Sequence, residues 1–564
     1  MIGLFACIPL AIANRGPFLE QVSNSTWAFG NDLWNVTQEA VYAPKLHFRG
    51  LELAGSASGH YMGYDGENNF VWTSATITSR GNDYIDVAFS CNEGELHWVI
   101  FDDLAGAYQY FVNRALPDIG ILRTLWRLDP GLFLNGRTYL RNQALPDFSL
   151  YQNATKVQDE TWQLANGTFM TKYDFSDYVR ERDFYGIYGP NVGSWYIHPG
   201  TDYYNSDHLS QTLTVHRESA TGDSVQLNVV QDTSHFRVGE KVSQPAGKIW
   251  GPWLWYLNDG KVEDAKTKAN EELAKWPYPW LSGPAYQTRG VVSGRLRLSD
   301  GRPASGAAIF LGDTDTSRRP SVQGSNYYYT THADAEGRFS LEDVRAGTYG
   351  LYAWSNGGAL ADVYTNFTKG SIHVAAGNTT TLSLLTWSVP RKSKRVFTIG
   401  DFDKKALGFR NGGPPYQHGV SEQSPANLTF TVGKSQVSDW YYAQSLVGTW
   451  AVEFELDQAT LLSRGNSGDD DNSARLSLSF AGYSQSAAMD VTINGQLLGT
   501  LDKQNFASDP SLYRSGKTSG EWRFVQYTIP RAALREGVNV LGFTVTRYTQ
   551  WRGFMWDSII LEWV

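Results

Sequence analysis

The run YIDVAFSCNEGELHWVIFDDL, residues 84–104, sets the fold class. Its apolar residues alternate with polar ones on either side of Asn92 and Gly94, as half-buried strands separated by turn residues do. SVQLNVV at 224–230 has the same period, and similar runs recur from Trp27 to about Leu257 between Gly, Asn and Asp breaks. These runs predict a large sandwich of antiparallel strands. One segment departs from the pattern. VEDAKTKANEELAKW at 262–276 is an amphipathic helix rich in Ala, Glu and Lys, and WPYPW at 276–280 stops it because Pro cannot continue a helix.

Beyond that stop, RLRL, AAIFL, RFSL and YGLYAW lie between SDGRP, DAEG and RAGT turns, from about Tyr286 to Trp387. The spacing predicts a small Ig-like or transthyretin-like sandwich. PRKSKR at 390–395 marks the next boundary. TWAVEFEL, ARLSLSFAG, DVTINGQLLGTL and VNVLGFTV then predict a jelly roll, an architecture that often binds sugars. The expected organisation is mostly β, with domains at 14–283, 284–388 and 389–564.

Composition agrees with this reading and removes several functions. The chain has 564 residues, of which 41% are hydrophobic and 14% aromatic, far too apolar for a disordered protein. Its 55 Gly, 20 Trp and 31 Tyr against 5 Met suit twisted sheets better than helical bundles. The 48 basic and 57 acidic residues leave a charge of −9 with no basic stripe, so a nucleic-acid partner is not expected. No apolar run approaches the ~20 residues that span a bilayer, so no membrane partner is expected either. Ile2–Ala13 is expected to be a signal remnant. Sequons at Asn24, Asn35, Asn153, Asn166, Asn366, Asn378 and Asn427 accompany it, so the expectation is a secreted, monomeric glycoprotein. Cys91 falls in an apolar run and is expected to be core.

No Walker loop, HExxH, CxxC or GxSxG element is present, so zinc and a serine triad have no anchor. GDDDN at 468–472 could hold a structural calcium ion, although a solvated loop is the better reading. Three features of the first domain could carry chemistry. Residues 113–141 hold Arg114, Arg123, Arg127, Arg137 and Arg141 with only two Asp. On a strand, Arg123 and Arg127 share one face with Leu125 between them, and paired guanidinium forks suit carboxylates. Lys172 in GTFMTKYDFSDYVRERDF becomes a base only if desolvation or neighbouring cations lower its pKa; Arg180 and Arg182 are the nearby cations in sequence. His198, His208, His216 and His235 supply imidazoles whose proton moves most readily near neutrality.

At these residues the chain resembles the rhamnogalacturonan lyases of polysaccharide lyase family four. The resemblance rests on FMTKYDFSDYV, GSWYIHP…HLSQTLTVH, TSHFRVGE and GPWLWYLNDG in the first domain. GRLRLSDGRPASGAAIFLG and DAEGRFSLEDVRAGTYGLYAW carry it in the second, and FTIGDFDKKALGFRNG and DSIILEW in the third. It implies a galactose mutarotase-like sandwich, a fibronectin III-like domain and a carbohydrate-binding-like jelly roll. It implies β-elimination between rhamnose and galacturonic acid in rhamnogalacturonan I. Lys172 would be the base, His235 the acid, and Arg123 the partner of the uronate carboxylate. Arg127, His208, Tyr173 and Trp195 are expected along the substrate, and no cofactor is required. Two alternatives stay open. One is a pectic hydrolase using carboxylates among Asp174, Asp177, Glu181 and Asp183; the other is a non-catalytic sugar-binding protein relying on the many Trp.

Overall fold

A computed structural model describes residues 16–66, 68–390, 394–462 and 473–563. The segment 1–13 and the GDDDN loop lie outside the described residues. The first domain packs a nine-stranded sheet against a five-stranded one. The smaller sheet runs, in spatial order, Val215–Arg217, Ser224–Asp232, Ile121–Leu128, Gly59–Tyr64 and Asn68–Asn69.

Alternation decides what each face of that sheet presents. On Ile121–Leu128, the residues Leu122, Thr124, Trp126 and Leu128 are fully buried, whereas Arg123 and Arg127 are only half-buried. Trp126 stacks on Trp255 of the larger sheet at 4.7 Å and meets Trp98 edge-on at 6.3 Å. These indoles make the inter-sheet core, each burying on the order of 150–250 Å². His60 joins them with its Nε2 2.7 Å from Thr124 Oγ1; burial drops its pKa to about 3, so it is a neutral core residue. Cys91 is also buried and free, its thiol pushed up to about 12 by burial.

The helix forms at Val262–Lys275 and covers the outer face of the nine-stranded sheet. Its Glu272 is fully buried, yet it accepts from Tyr108 Oη at 2.8 Å and Tyr278 Oη at 2.7 Å and pairs with Lys268 and Lys275. That saturation makes burial of the charge tolerable. The aromatic runs at 251–260 and 548–558 are mainly core: Trp253, Trp255, Trp551 and Trp556 are all fully buried.

The second domain pairs a three-stranded with a four-stranded sheet over Leu296, Ile309, Leu351 and Trp387. The third is a sandwich of two five-stranded sheets around Trp440, Trp450, Phe480 and Trp556. Both dock on the first through polar junctions. Asp202 accepts from Arg345 at 2.8 Å and Arg289 at 3.0 Å, all three buried or nearly so. Gln211 Nε2 donates to the Ser519 carbonyl, and Ser519 Oγ to the Leu209 carbonyl.

Candidate active site

The strand Phe169–Thr171 turns into a 3-10 segment, Lys172–Phe175. Thr171 Oγ1 accepts from the Tyr173 backbone, Ser176 Oγ donates to the Tyr173 carbonyl and Thr214 Oγ1 to the Phe175 carbonyl. The turn is thereby fixed against Val215–Arg217, the edge strand of the smaller sheet. Lys172 is left half-buried with its Nζ 5.5 Å from the Tyr173 ring. Among the described residues its ammonium has no hydrogen bond or ion pair.

Burial lowers the Lys172 pKa, and the positive Arg514 acts in the same direction; Glu160, Glu218 and Asp159 oppose them without prevailing. The cation acting on Lys172 is thus Arg514 of the third domain rather than Arg180 or Arg182. Arg180 donates to the carbonyls of Thr201, Tyr204 and Ser206 at 2.6–2.8 Å. Arg182 is buried over the rings of Tyr185 and Tyr204.

The three carboxylates beside Lys172 are held ionised. Burial works to raise Glu218, but His216, its Nε2 3.9 Å away, together with Arg127 and Lys172 outweighs it and holds the carboxyl at about 2. Arg127 Nη2 reaches Glu218 at 3.0 Å. Glu160 accepts from Ser219 Oγ at 2.7 Å and Lys156 Nζ at 2.9 Å. Asp159 accepts from Arg514 at 2.8 Å and from Tyr173 Oη at 2.9 Å. Both stay below the usual carboxylate range despite burial, because these donors stabilise the charge. His216 is neutral, driven by burial to about 4.

His235 follows the strand Ser224–Asp232. Its Nδ1 lies 3.0 Å from Asp232 Oδ2 and 3.1 Å from Thr212 Oγ1, so Nε2 is the nitrogen left for chemistry. Asp232 Oδ1 accepts from the backbone N–H of Ser234 and His235, which fixes the turn. Arg514 Nη1 donates to the His235 carbonyl at 3.0 Å. Tyr173 meets Phe236 edge-on at 6.2 Å, and the Arg514 guanidinium lies 5.0 Å from the Tyr173 ring. Lys172 and His235 therefore flank one Tyr173–Arg514–Phe236 cluster.

Arg123, Leu125 and Arg127 share the outward face of their strand with Tyr61, opposite Leu125 on the neighbouring strand. Arg127 is consumed by Tyr61, Glu218 and Asp223. Arg123 donates through Nη2 to the Gly66 carbonyl, while its Nε is unpartnered. By register Asp232 lies across from Ile121, on the same side of the sheet as Arg123. The face thus carries Arg123, with an unpartnered Nε, on the same side as Asp232, which holds His235, and Arg127, which holds Glu218.

Two expected substrate contacts are corrected. Trp195 is fully buried under the helix, its Nε1 donating to Asn258 at 2.9 Å, on the far face of the larger sheet. His208 sits at the junction with the second domain, its Nε2 3.0 Å from the Thr331 carbonyl and 3.2 Å from the Ile309 carbonyl. Tyr173 is at the site but buried, with its hydroxyl spent on Asp159. The sequence reading missed Asp159, Glu160, Glu218, Asp232 and Arg514. Only Asp232 carried a signal, three residues before His235.

No group of three or more His, Cys, Asp or Glu residues among the described residues could hold a metal ion. No described helix is long and apolar enough to cross a membrane.

Comparison with known proteins covers most of the chain. Residues 299–382 match the fn3-like profile described as domain II of polysaccharide lyase family 4, and residues 395–561 the CBM-like profile of domain III. A rhamnogalacturonate lyase of Dickeya dadantii is 32% identical over 499 residues, 85% of this chain and 81% of that one. Rhamnogalacturonate lyase B of Emericella nidulans is 25% identical over 370 residues, 60% of this chain; the match spans about half, 53%, of the fungal protein. A family 35 carbohydrate-binding module matches 30% of this chain and 88% of its own at 16% identity, with a TM-score of 0.14.

Proposed function

The chain belongs to polysaccharide lyase family 4, and from that premise we propose that Lys172 and His235 are the base and acid with which it cleaves rhamnogalacturonan. The enzyme is a rhamnogalacturonan lyase. It breaks the bond between rhamnose and galacturonic acid by β-elimination and leaves a 4,5-unsaturated galacturonate end.

Neutral Lys172 takes the C5 proton, α to the uronate carboxyl. Electron density moves onto that carboxyl as the C4–O bond breaks, and protonated His235 delivers a proton from Nε2 to the departing rhamnose oxygen. Asp232 holds the imidazole in position through Nδ1. Arg123 meets the charge developing on the carboxyl, a preorganised donor in a site partly shielded from water. Each proton transfer is worth typically 10²–10⁴-fold, about 3–5 kcal/mol.

The observation that carries this reading is the placement of Lys172, half-buried beside Tyr173 and without a hydrogen bond or ion pair among the described residues, where burial lowers its pKa. A hydrolase would need one carboxyl kept protonated. Asp159, Glu160 and Glu218 around Lys172 are held ionised, whereas burial pushes Asp174, beside Arg141 and Lys517, and Asp177 up to about 7, so the unsaturated product rather than protonation state separates the two reactions. Of the carboxylates weighed for hydrolysis, Asp177 is buried on the Tyr139 and Tyr178 N–H groups, and Asp183 is paired with Arg137. Incubation with rhamnogalacturonan I, followed by the ultraviolet absorbance of the unsaturated uronate, tests the assignment. Lys172→Ala should cut the signal by about a hundredfold or more while substrate still binds; turnover within tenfold of wild type refutes the base.

The polysaccharide substrate is the only partner this chemistry needs, and we take the protein to be secreted and monomeric. Of the seven sequon asparagines, all but Asn35 are exposed, as glycosylation of a secreted chain requires.

A further inference from the structure

We infer that the pocket where the three domains meet is a second, non-catalytic site for a carboxylate-bearing sugar. The pocket has a volume of about 250 Å³. Asp207 and Arg237 of the first domain, Arg318, Arg319 and Trp354 of the second, and Lys404 and Trp522 of the third contribute to its lining. The catalytic chemistry uses none of them.

Charge sets what the pocket accepts. Arg237, Arg318, Arg319 and Lys404 face Asp207 and Glu521, an excess of cations inside a protein of net charge −9. Both carboxylates are already engaged. Asp207 accepts from Ser210 Oγ at 2.9 Å and Arg237 Nη2 at 3.3 Å; Glu521 accepts from Ser321 Oγ and pairs with Arg319, both at 3.0 Å. The cations are not so well satisfied. Arg237 is 7% exposed and its buried Nε has no partner. Among the described residues the exposed Arg318 guanidinium makes no hydrogen bond or ion pair. Buried donors left open are costly unless something occupies them.

Shape and surface narrow the ligand further. Lys404 Nζ lies 5.0 Å from the Trp354 ring and 4.5 Å from the Trp522 ring, and among the described residues its only hydrogen bond is to Asn366 Oδ1 at 3.0 Å. An ammonium between two indoles combines a carboxylate partner with flat apolar walls, as a sugar acid requires. Lys404 adopts φ = 66°, a left-handed conformation that costs a non-glycine residue free energy. The volume falls just below the roughly 300–1,000 Å³ of typical ligand pockets, so one ring or a chain end fits. The choice of a uronate over other small anions rests on the lyase reading above.

The pocket also touches the catalytic loop. Arg237 is two residues beyond His235, and Arg319 pairs with Glu240 of the same loop at 2.6 Å.

Saturation-transfer NMR with sodium D-galacturonate and with neutral D-galactose tests the site on wild type, Arg318→Glu and Lys404→Met. Wild type should bind galacturonate over galactose. Each variant should bind it roughly tenfold more weakly, the worth of one charge-assisted hydrogen bond, with the lyase kcat/KM within twofold. Variants that melt like wild type and bind galacturonate as wild type does would overturn the site. Equal binding of galactose, lost equally in the variants, would overturn its preference for a carboxylate. Binding is read without turnover, so failure of the lyase assay with Arg318-dependent binding intact would count against the catalytic reading alone.

Discussion

Replacing Arg514 by Gln should move the acid limb of the lyase pH profile to higher pH. Lys172 Nζ lies 5.5 Å and the Arg514 guanidinium carbon 5.0 Å from the same Tyr173 ring centroid. The two cations therefore stand no farther apart than the sum of those distances, about 10 Å. At an effective dielectric constant of about 20, unit charges at that separation repel by roughly 1.7 kcal/mol, and solvent screening at half-buried Lys172 trims this to a fraction of that. Loss of Arg514 also leaves Asp159 unpaired, and an unpaired carboxylate raises the lysine further. The sign is therefore fixed: Lys172 holds its proton to higher pH, the neutral base is scarcer, and kcat/KM begins to rise later. Glu218→Gln removes an opposing carboxylate and should shift the limb the other way. The assay is kcat/KM for rhamnogalacturonan against pH, followed by the absorbance of the unsaturated product. An overall fall in rate does not bear on the prediction; the position of the limb does. If Arg514→Gln leaves the limb in place or lowers it, with melting unchanged, Lys172 is not the group whose titration controls turnover.

Other outcomes follow from the same geometry. Lys172→Ala should lower kcat by about 10²–10⁴-fold with little change in KM, measured on rhamnogalacturonan I. Asp232→Asn should reduce kcat by roughly 10²-fold or more while the melting temperature stays close to wild type, because His235 loses the partner fixing its tautomer. Lys248 is buried between the first two domains, its pKa driven by burial to about 7 while its Nζ donates to the Gly324 carbonyl at 2.6 Å. The unfolded chain then holds more protons than the folded one from about pH 7 to 10.5, so stability rises with pH across that window. Lys248→Met should lack this rise, seen as a wild-type-minus-variant melting difference that grows between pH 7 and 10. Trp126→Ala should cost about 3–5 kcal/mol in urea unfolding, because the indole stacked on Trp255 leaves a cavity between two sheets.

The sequence by itself determined which residues alternate, where a helix must stop and which side chains share a strand face. Leu122, Thr124 and Trp126 point inward and Arg123 and Arg127 outward because side chains alternate along any strand. The helix ends at Lys275 because Pro277 cannot continue it. These are local constraints, written within a few residues. Tertiary structure alone decided what surrounds Lys172. Glu160 and Glu218 reach it from neighbouring segments and Arg514 from another domain, and no periodicity links such positions. The same holds for the errors. Trp195 and His208 are expected along the substrate, but closure of the sheet beneath the helix buries Trp195, and docking of the second domain ties His208 to the Thr331 and Ile309 carbonyls. A charge's effect on a pKa depends on distance and burial in space, and chain order specifies neither until the sheets have packed.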